Sequence, residues 1–188
     1  MVNAKVCLLD LDGSLADYDS ALTPIMRSLQ SPGEPEYKGR DHDDFEEPHI
    51  AARRKLVQSK PDFWRNLPRH PLGFQLLDEV RKIGFDLHIL TKGPRTSPAA
   101  WSEKLVWATE HVPDAKMHVS EDKSLVYGRV LIDDFIPYAK PWLEKRPRGV
   151  VVAVAQPWNR DFRHDRFYRY DGSNLPQIIE VLQKAFDR

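Results

Sequence analysis

One cysteine in 188 residues excludes an internal disulfide, so this fold must be held by its core. Cys7 lies within the first apolar run, where a buried core thiol is the expected state. Net charge is also missing: 28 Lys and Arg balance 28 Asp and Glu. That balance argues against a chain built mainly to coat nucleic acid, although a local basic patch stays compatible with it. No apolar run approaches membrane-spanning length, and the first residues carry no apolar segment of signal-peptide length. Nor is there a Gly-x4-Gly-Lys-Ser/Thr loop, which argues against a nucleotide-burning P-loop engine. The expectation is a cytoplasmic protein without a membrane-spanning segment.

What is present suits a single domain with a small insertion, since 41% of residues are apolar and can fill a sizeable core. Four short branched runs read as buried parallel strands: 5–11, 85–91, 129–134 and 149–155. "MHVS" (117–120) is a candidate fifth strand. Segments with helical spacing lie between them. Residues 73–84 repeat their apolar positions at three and four and end on Gly84, a C-cap candidate. Residues 97–112 begin Ser-Pro, an N-cap and first-turn pair, and 173–186 read as a closing helix. Alternating strands and helices predict an α/β, three-layer parallel sheet. The stretch 15–72 is rich in proline, holds a helix near "HIAARRKLVQS" and contains no central strand. It reads as a small helical cap inserted after the first strand, with 1–14 and 73–188 forming the core.

In an open parallel sheet, ligands bind at the carboxyl ends of the strands. Polar residues stand at those ends here: Asp10 and Asp12, then Thr91, then Asp133 and Asp134. Four carboxylates and a hydroxyl thus converge. Like charges crowded together persist if a divalent cation lies between them, and hard oxygen donors suit Mg2+. The bland reading of Asp10-x-Asp12, an Asx-type turn, accounts for that pair alone but not for the other strand ends.

"DLDGSLAD", then the "LT" of Thr91, then Lys123 ten residues before "IDD", resembles the haloacid dehalogenase (HAD) superfamily of phosphohydrolases, whose four motifs occur in this order. Within it, "DLDGSLAD", "EKLVWATEHVP" and "DKSLVYGRVLIDD" are similar to the 5'(3')-deoxyribonucleotidase branch. Ser14 stands where that branch usually has Val, and Lys92 follows Thr91 where Ser is common.

The resemblance implies a Rossmann-like (HAD) sheet and a magnesium-dependent phosphomonoesterase acting on deoxyribonucleoside monophosphates. Asp10 is the candidate nucleophile, forming an aspartyl-phosphate. Asp12 is the candidate acid and base, with its main-chain carbonyl as a metal ligand. Gly13, Thr91, Lys92 and Lys123 are candidates for phosphate binding, with Gly13 permitting a sharp turn and Lys123 supplying a point charge. The metal shell would draw on Asp10, Asp12, Asp133 and Asp134. Tyr18 matches an aromatic position that stacks on the substrate in that branch, and Phe45, Phe63 and Trp64 are candidates for the rest of an apolar slot, or for cap packing. Trp101 and Trp107 read as packing residues.

Two motifs remain. "RDHDDFEE" (40–47) contains His-Asp, compatible with a second metal site but read here as a solvated acidic loop. "QPWNRDFRHDRFYRY" (156–170) interleaves arginine with aromatics. It suits either contact with a nucleic acid strand or phosphate, or a charged surface hairpin, with Asn159 and Arg160 near the pocket. Three alternatives stay open: a HAD phosphatase for a nucleic-acid 3'-phosphate end, one for a sugar phosphate, or a catalytically silent nucleotide-binding module. A homodimer is left open as well.

Overall fold

The computed structural model describes residues 5–39, 47–94 and 97–188. The His-Asp pair at 42–43 and Phe45 lie outside the described residues. Six parallel strands form one sheet: β1 (Val6–Leu9), β2 (Asp86–Thr91), β3 (Lys116–Val119), β4 (Val130–Ile132), β5 (Val150–Val154) and β6 (Phe167–Tyr170). Their order is β3-β2-β1-β4-β5-β6. The chain therefore builds outward from β1 in one direction, then crosses to β4 and builds in the other. The gap between the carboxyl ends of β1 and β4 is the topological switch point, where such sheets bind ligands.

Strand residues alternate between two apolar layers, as the period of two requires. Cys7, Leu9, Val130, Ile132, Val150 and Val152 enter the larger cluster. Leu8, Leu131, Val151 and Ala153 enter the smaller one on the opposite face. The larger layer receives α3 (Pro71–Ile83), α4 (Pro98–His111) and α6 (Leu175–Asp187). The smaller receives α5 (Ile136–Lys145) through Ala139, Trp142 and Leu143. The three-layer expectation is met, and Cys7 is fully buried.

Between β1 and α3 lie α1 (Tyr18–Ser28) and α2 (Pro48–Gln58). Asp17 caps α1 by accepting from the Ser20 amide at 3.2 Å. Leu22, Met26, Val57 and Leu67 join the larger apolar cluster, so this segment is packed into the same core as the sheet. No described helix is long and apolar enough to cross a membrane.

Local chemistry explains most boundaries. Gly84 ends α3 in the left-handed conformation at φ 97°, which costs glycine little. Ser97 precedes α4, but its hydroxyl makes no cap bond, so Pro98 carries the start. One element is not assigned from the sequence and one differs from its reading. Helix α5 carries Pro137 in its first turn and Pro141 within it. The segment 156–170 is not a hairpin: it contains a short 3-10 turn (Pro157–Asn159) and then β6, parallel to β5 at the sheet edge.

Candidate active site

The loop after β1 is shaped by close packing. Gly13 has φ 90°, and a Cβ there would lie 2.6 Å from Asp134 Oδ2. Only glycine lets the backbone approach that carboxylate. The loop is pinned from several sides. The Asp10 amide donates to Ile132 O at 2.8 Å, and the Gly13 amide to Ala16 O at 2.8 Å. Gln156 Nε2 donates to Gly13 O at 3.0 Å.

Asp10, Asp133 and Asp134 are buried, and each offers an oxygen within 4.8 Å of the others. Lys123, on a 3-10 turn (Lys123–Leu125), lies 2.6 Å from Asp10 Oδ1 and 2.7 Å from Asp133 Oδ2. Asp133 also accepts from the Phe135 amide at 2.9 Å. Asp134 is held by Ser14, whose hydroxyl donates to Asp134 Oδ1 at 3.1 Å and accepts from the Asp134 amide at 3.1 Å. Trp158 Nε1 donates to Asp134 Oδ2 at 3.0 Å.

Burial pushes the Asp10 carboxyl up to about 7; Lys123 pulls it down, while Asp133 and Asp12 push it up. Burial works against the Lys123 charge, but Asp10 and Asp133 hold its ammonium above the ordinary lysine value. One cation is thus shared by two buried carboxylates, a pair whose charges are only partly offset in a low-dielectric site.

Asp12 is partnered by Lys104, a buried lysine of α4, through Oδ2. The same ammonium donates to Lys92 O at 2.9 Å and Thr91 Oγ1 at 3.4 Å. It lies 4.5 Å from the Trp64 ring centre, a cation–π contact. Asp12 Oδ1 is buried without a hydrogen-bond partner among the described residues. A buried, unsatisfied carboxylate oxygen is costly, and it fits the approach of a ligand proton.

These groups line a cleft of about 460 Å³. Asp10, Asp12, Lys123 and Asp134 form its floor, with Lys92 and Lys104 beside them. Arg54, Lys55 and Gln58 of α2 and Trp64 form one wall, and Phe135, just before α5, and Tyr138 within it form another. Glu103 of α4 holds the Trp64 turn by accepting from the Asp62 and Trp64 amides, each at 3.0 Å.

The structure thus brings Asp10, Asp12, Thr91, Lys92, Lys123, Asp133 and Asp134 to one place. Tyr18 is placed differently from a substrate-stacking residue. It is 2% exposed, stacks on Trp64 at 5.6 Å and accepts from Gln58 Nε2 at 2.6 Å. On that side the aromatic facing the cleft is Trp64, across from Phe135 and Tyr138, and it rests on Tyr18 and Phe63. Trp107 is buried, whereas Trp101 is 42% exposed. Asn159 is buried and donates to Asp134 O at 3.0 Å, while Arg160 lines a separate cleft with Arg163 and His164. Arg166 is committed internally, donating to the carbonyls of Gly149 and Leu143.

The family model for "5' nucleotidase, deoxy (Pyrimidine), cytosolic type C protein" matches residues 4–186. The chain belongs to this family. It is thus of an enzyme family, phosphatases of the 5'(3')-deoxyribonucleotidase kind. Among its relatives, the "Putative 5'(3')-deoxyribonucleotidase" of Bordetella bronchiseptica is 27% identical over 178 residues, spanning 91% of this chain and 89% of its own. The Bordetella pertussis protein of the same name is 28% identical over the same spans. A HAD family hydrolase from Deinococcus radiodurans R1, solved with bound phosphate and sodium, superposes with a TM-score of 0.55 at 13% identity, covering 96% of this chain and 97% of its own. That last likeness concerns the fold, which is that of the HAD hydrolases.

Lys104, Ser14, Gln156 and Trp158 were not visible as site residues in the sequence. Lys104 had a signal: Ala100, Lys104, Trp107 and Ala108 form the buried side of α4, so its helical spacing places a charge on an apolar face.

Proposed function

We propose that the protein is a magnesium-dependent phosphomonoesterase acting on deoxyribonucleoside monophosphates through an aspartyl-phosphate at Asp10. The observation that carries the reading is Lys123 bridging Asp10 and Asp133 at the floor of a cleft, with Asp12 beside them on a separate lysine. A catalytically silent binder has no need to separate two adjacent carboxylates in this way.

The donor set fits a hard divalent ion: all candidate ligands are oxygens, and Asp10, Asp133 and Asp134 are buried with oxygens within 4.8 Å of one another. Asp10, Asp133 and Asp134 would hold Mg2+ with the Asp12 carbonyl. When bound, the ion would offset phosphate charge and favour in-line alignment. The remaining chemistry belongs to the chain. Asp10 Oδ attacks phosphorus and forms a P–O bond as the bond from phosphorus to the ester oxygen breaks. Asp12 gives its proton to that leaving oxygen. A water then attacks the phosphoryl group, its proton passing to Asp12, and inorganic phosphate leaves with Asp10 restored. Lys123 holds Asp10 in place and offsets charge on the phosphoryl oxygens. Lys104 keeps the Asp12 side chain beside Thr91, and Lys92 meets the phosphate at the cleft rim.

The segment 15–72 acts as the cap that reads the nucleoside, with Trp64 as the apolar surface for the base and Arg54, Lys55 and Gln58 of α2 as polar contacts. A cytoplasmic setting agrees with the family's printed description. The test is phosphate release from deoxy- and ribonucleoside monophosphates, sugar phosphates and a 3'-phosphorylated oligonucleotide, with Mg2+, with chelator and with Asp10→Asn. Deoxynucleotide turnover abolished by chelator and by the variant is expected. Turnover confined to another substrate rejects the substrate assignment, and undiminished turnover by the variant rejects the mechanism.

A further inference from the structure

A second cleft, of about 350 Å³, opens at the amino-terminal ends of β4 and β5, the edge of the sheet opposite the carboxylates. Tyr127, Arg129, Lys145, Arg146, Arg148 and Arg188 line it, and no Asp or Glu does. Five cations gathered around one cleft in a chain of zero net charge are a marked segregation.

The cations are poorly neutralised. Among the described residues, none of the four arginines forms an ion pair. Arg129 Nη1 donates to Phe186 O at 2.8 Å, Arg146 Nη1 to Lys145 O at 3.1 Å and Arg188 Nη1 to Arg148 O at 3.4 Å, all of them carbonyls. Lys145 is 3.6 Å from Asp122, with both side chains about half exposed, a weak pairing in water. The nearby carboxyl end of α5 contributes only about half a negative charge. Arg146 Nε is buried with no hydrogen-bond partner among the described residues, an unmet donor that a native fold rarely leaves without reason.

The cleft also has an aromatic element. Tyr127 is 51% exposed, and the Arg146 guanidinium lies 5.8 Å from its ring centre. Guanidinium forks match phosphate oxygens, and an exposed aromatic ring accepts a base by stacking. We infer that this cleft binds a nucleoside polyphosphate, its phosphates on Arg146, Arg148, Arg188 and Lys145 and its base against Tyr127. The inference is independent of the chemistry assigned to the other cleft. The volume is at the lower end of small-molecule sites, which suits one mononucleotide.

The test is calorimetric titration of dATP and of inorganic tripolyphosphate into the wild-type chain in chelator. Arg148→Glu, the double variant R146A/R148A, Tyr127→Ala and Asp10→Asn are titrated alongside. Arg148 is exposed, so its charge reversal should leave the circular dichroism spectrum and melting curve unchanged. Binding of both probes is expected, weakened about tenfold or more by either arginine variant and within about twofold of wild type in Asp10→Asn. Tyr127→Ala should weaken dATP and spare tripolyphosphate. No binding, unchanged affinity in Arg148→Glu, or loss confined to Asp10→Asn overturns the inference. So does an oligonucleotide that binds more tightly than dATP and loses its binding in Arg148→Glu, which would make the surface a nucleic-acid site.

Discussion

Gly73→Ala tests how the loop after β1 is held from behind. In an exposed helix the change would favour folding by about 1 kcal/mol, because alanine is the better helix former. Here the sign reverses. Gly73 lies in the first turns of α3, and a Cβ at this position would sit 1.9 Å from the carbonyl oxygen of Ser14 and 2.8 Å from its carbonyl carbon. The first distance is 1.1 Å inside the 3.0 Å limit below which Cβ contacts are essentially never found. The obstacle is backbone, so no side-chain rotation relieves it. Either α3 moves off the sheet or the loop moves toward Asp134. Overpacking of this kind costs about 1–3 kcal/mol, occasionally more. A clash this deep with backbone belongs at the upper end of that range, so with the helix gain subtracted net destabilisation should be about 2 kcal/mol, a melting shift of roughly 4–8 °C for a chain of this size. Displacing Ser14 also disturbs both of its bonds to Asp134, so the Mg2+ concentration for half-maximal activity should rise. Urea unfolding and a Mg2+ titration of turnover are the assays. A variant as stable as wild type with the same Mg2+ requirement would refute the argument.

Ser14→Ala leaves the buried Asp134 amide without its acceptor and should cost about 1–3 kcal/mol in urea unfolding, with a raised Mg2+ requirement; wild-type stability would show that Ser14 is dispensable. Lys123→Met strands Asp10 and Asp133 and should destabilise by about 3–5 kcal/mol while abolishing turnover; measurable turnover at normal Mg2+ would contradict the role assigned to it. Burial pushes the Cys7 thiol far up, so a thiol reagent should modify it only as fast as the chain unfolds, which a stopped-flow comparison in and out of urea checks. Burial first, with opposing carboxylates for His70 and with His88 and Lys116 for His118, holds both imidazoles below their usual 6.5. The unfolded chain therefore binds more protons as pH falls below about 6.5, and stability should decline there. His70→Gln should flatten that decline in melting temperatures measured from pH 7 to 5.

The central strands were legible because each is a short branched run, and three of the four end in a polar group; those polar ends meet at the candidate site. Residues Asp10, Asp12, Thr91, Lys123, Asp133 and Asp134 could be read in order for that reason. Strand β6 could not. Its "FYRY" buries only Phe167 and Tyr170, without the alternation of a half-buried strand, and its arginines suggest surface. Helix α5 was hidden by Pro137 and Pro141, and it persists because Ala139, Trp142 and Leu143 bury fully against the sheet. The side chains that position Asp134 were out of reach for another reason: Ser14 is 120 residues away from it and Trp158 is 24. Tyr18 was read from the family resemblance, at a position that is aromatic and stacks on the substrate in the deoxyribonucleotidase branch. The turn at 62–64, held by Glu103 across 41 positions, interposes Trp64 instead.

Those separations have a consequence for how the protein is made. Asp12 depends on Lys104, 92 residues away, and Gly13 O on Gln156, 143 residues away. During synthesis Asp10 and Asp12 emerge first, and β4, which seats beside β1, emerges more than a hundred residues later. A nascent chain stopped before Val130 would hold two bare carboxylates with neither Asp133 nor Asp134, and the Ser14 hydroxyl would have nothing to hold. Contacts closed over such distances form late. Under the proposed metal assignment, the ability to retain a divalent ion would therefore arrive only once β4 has seated beside β1, and ion retention by ribosome-bound chains of increasing length would time that moment.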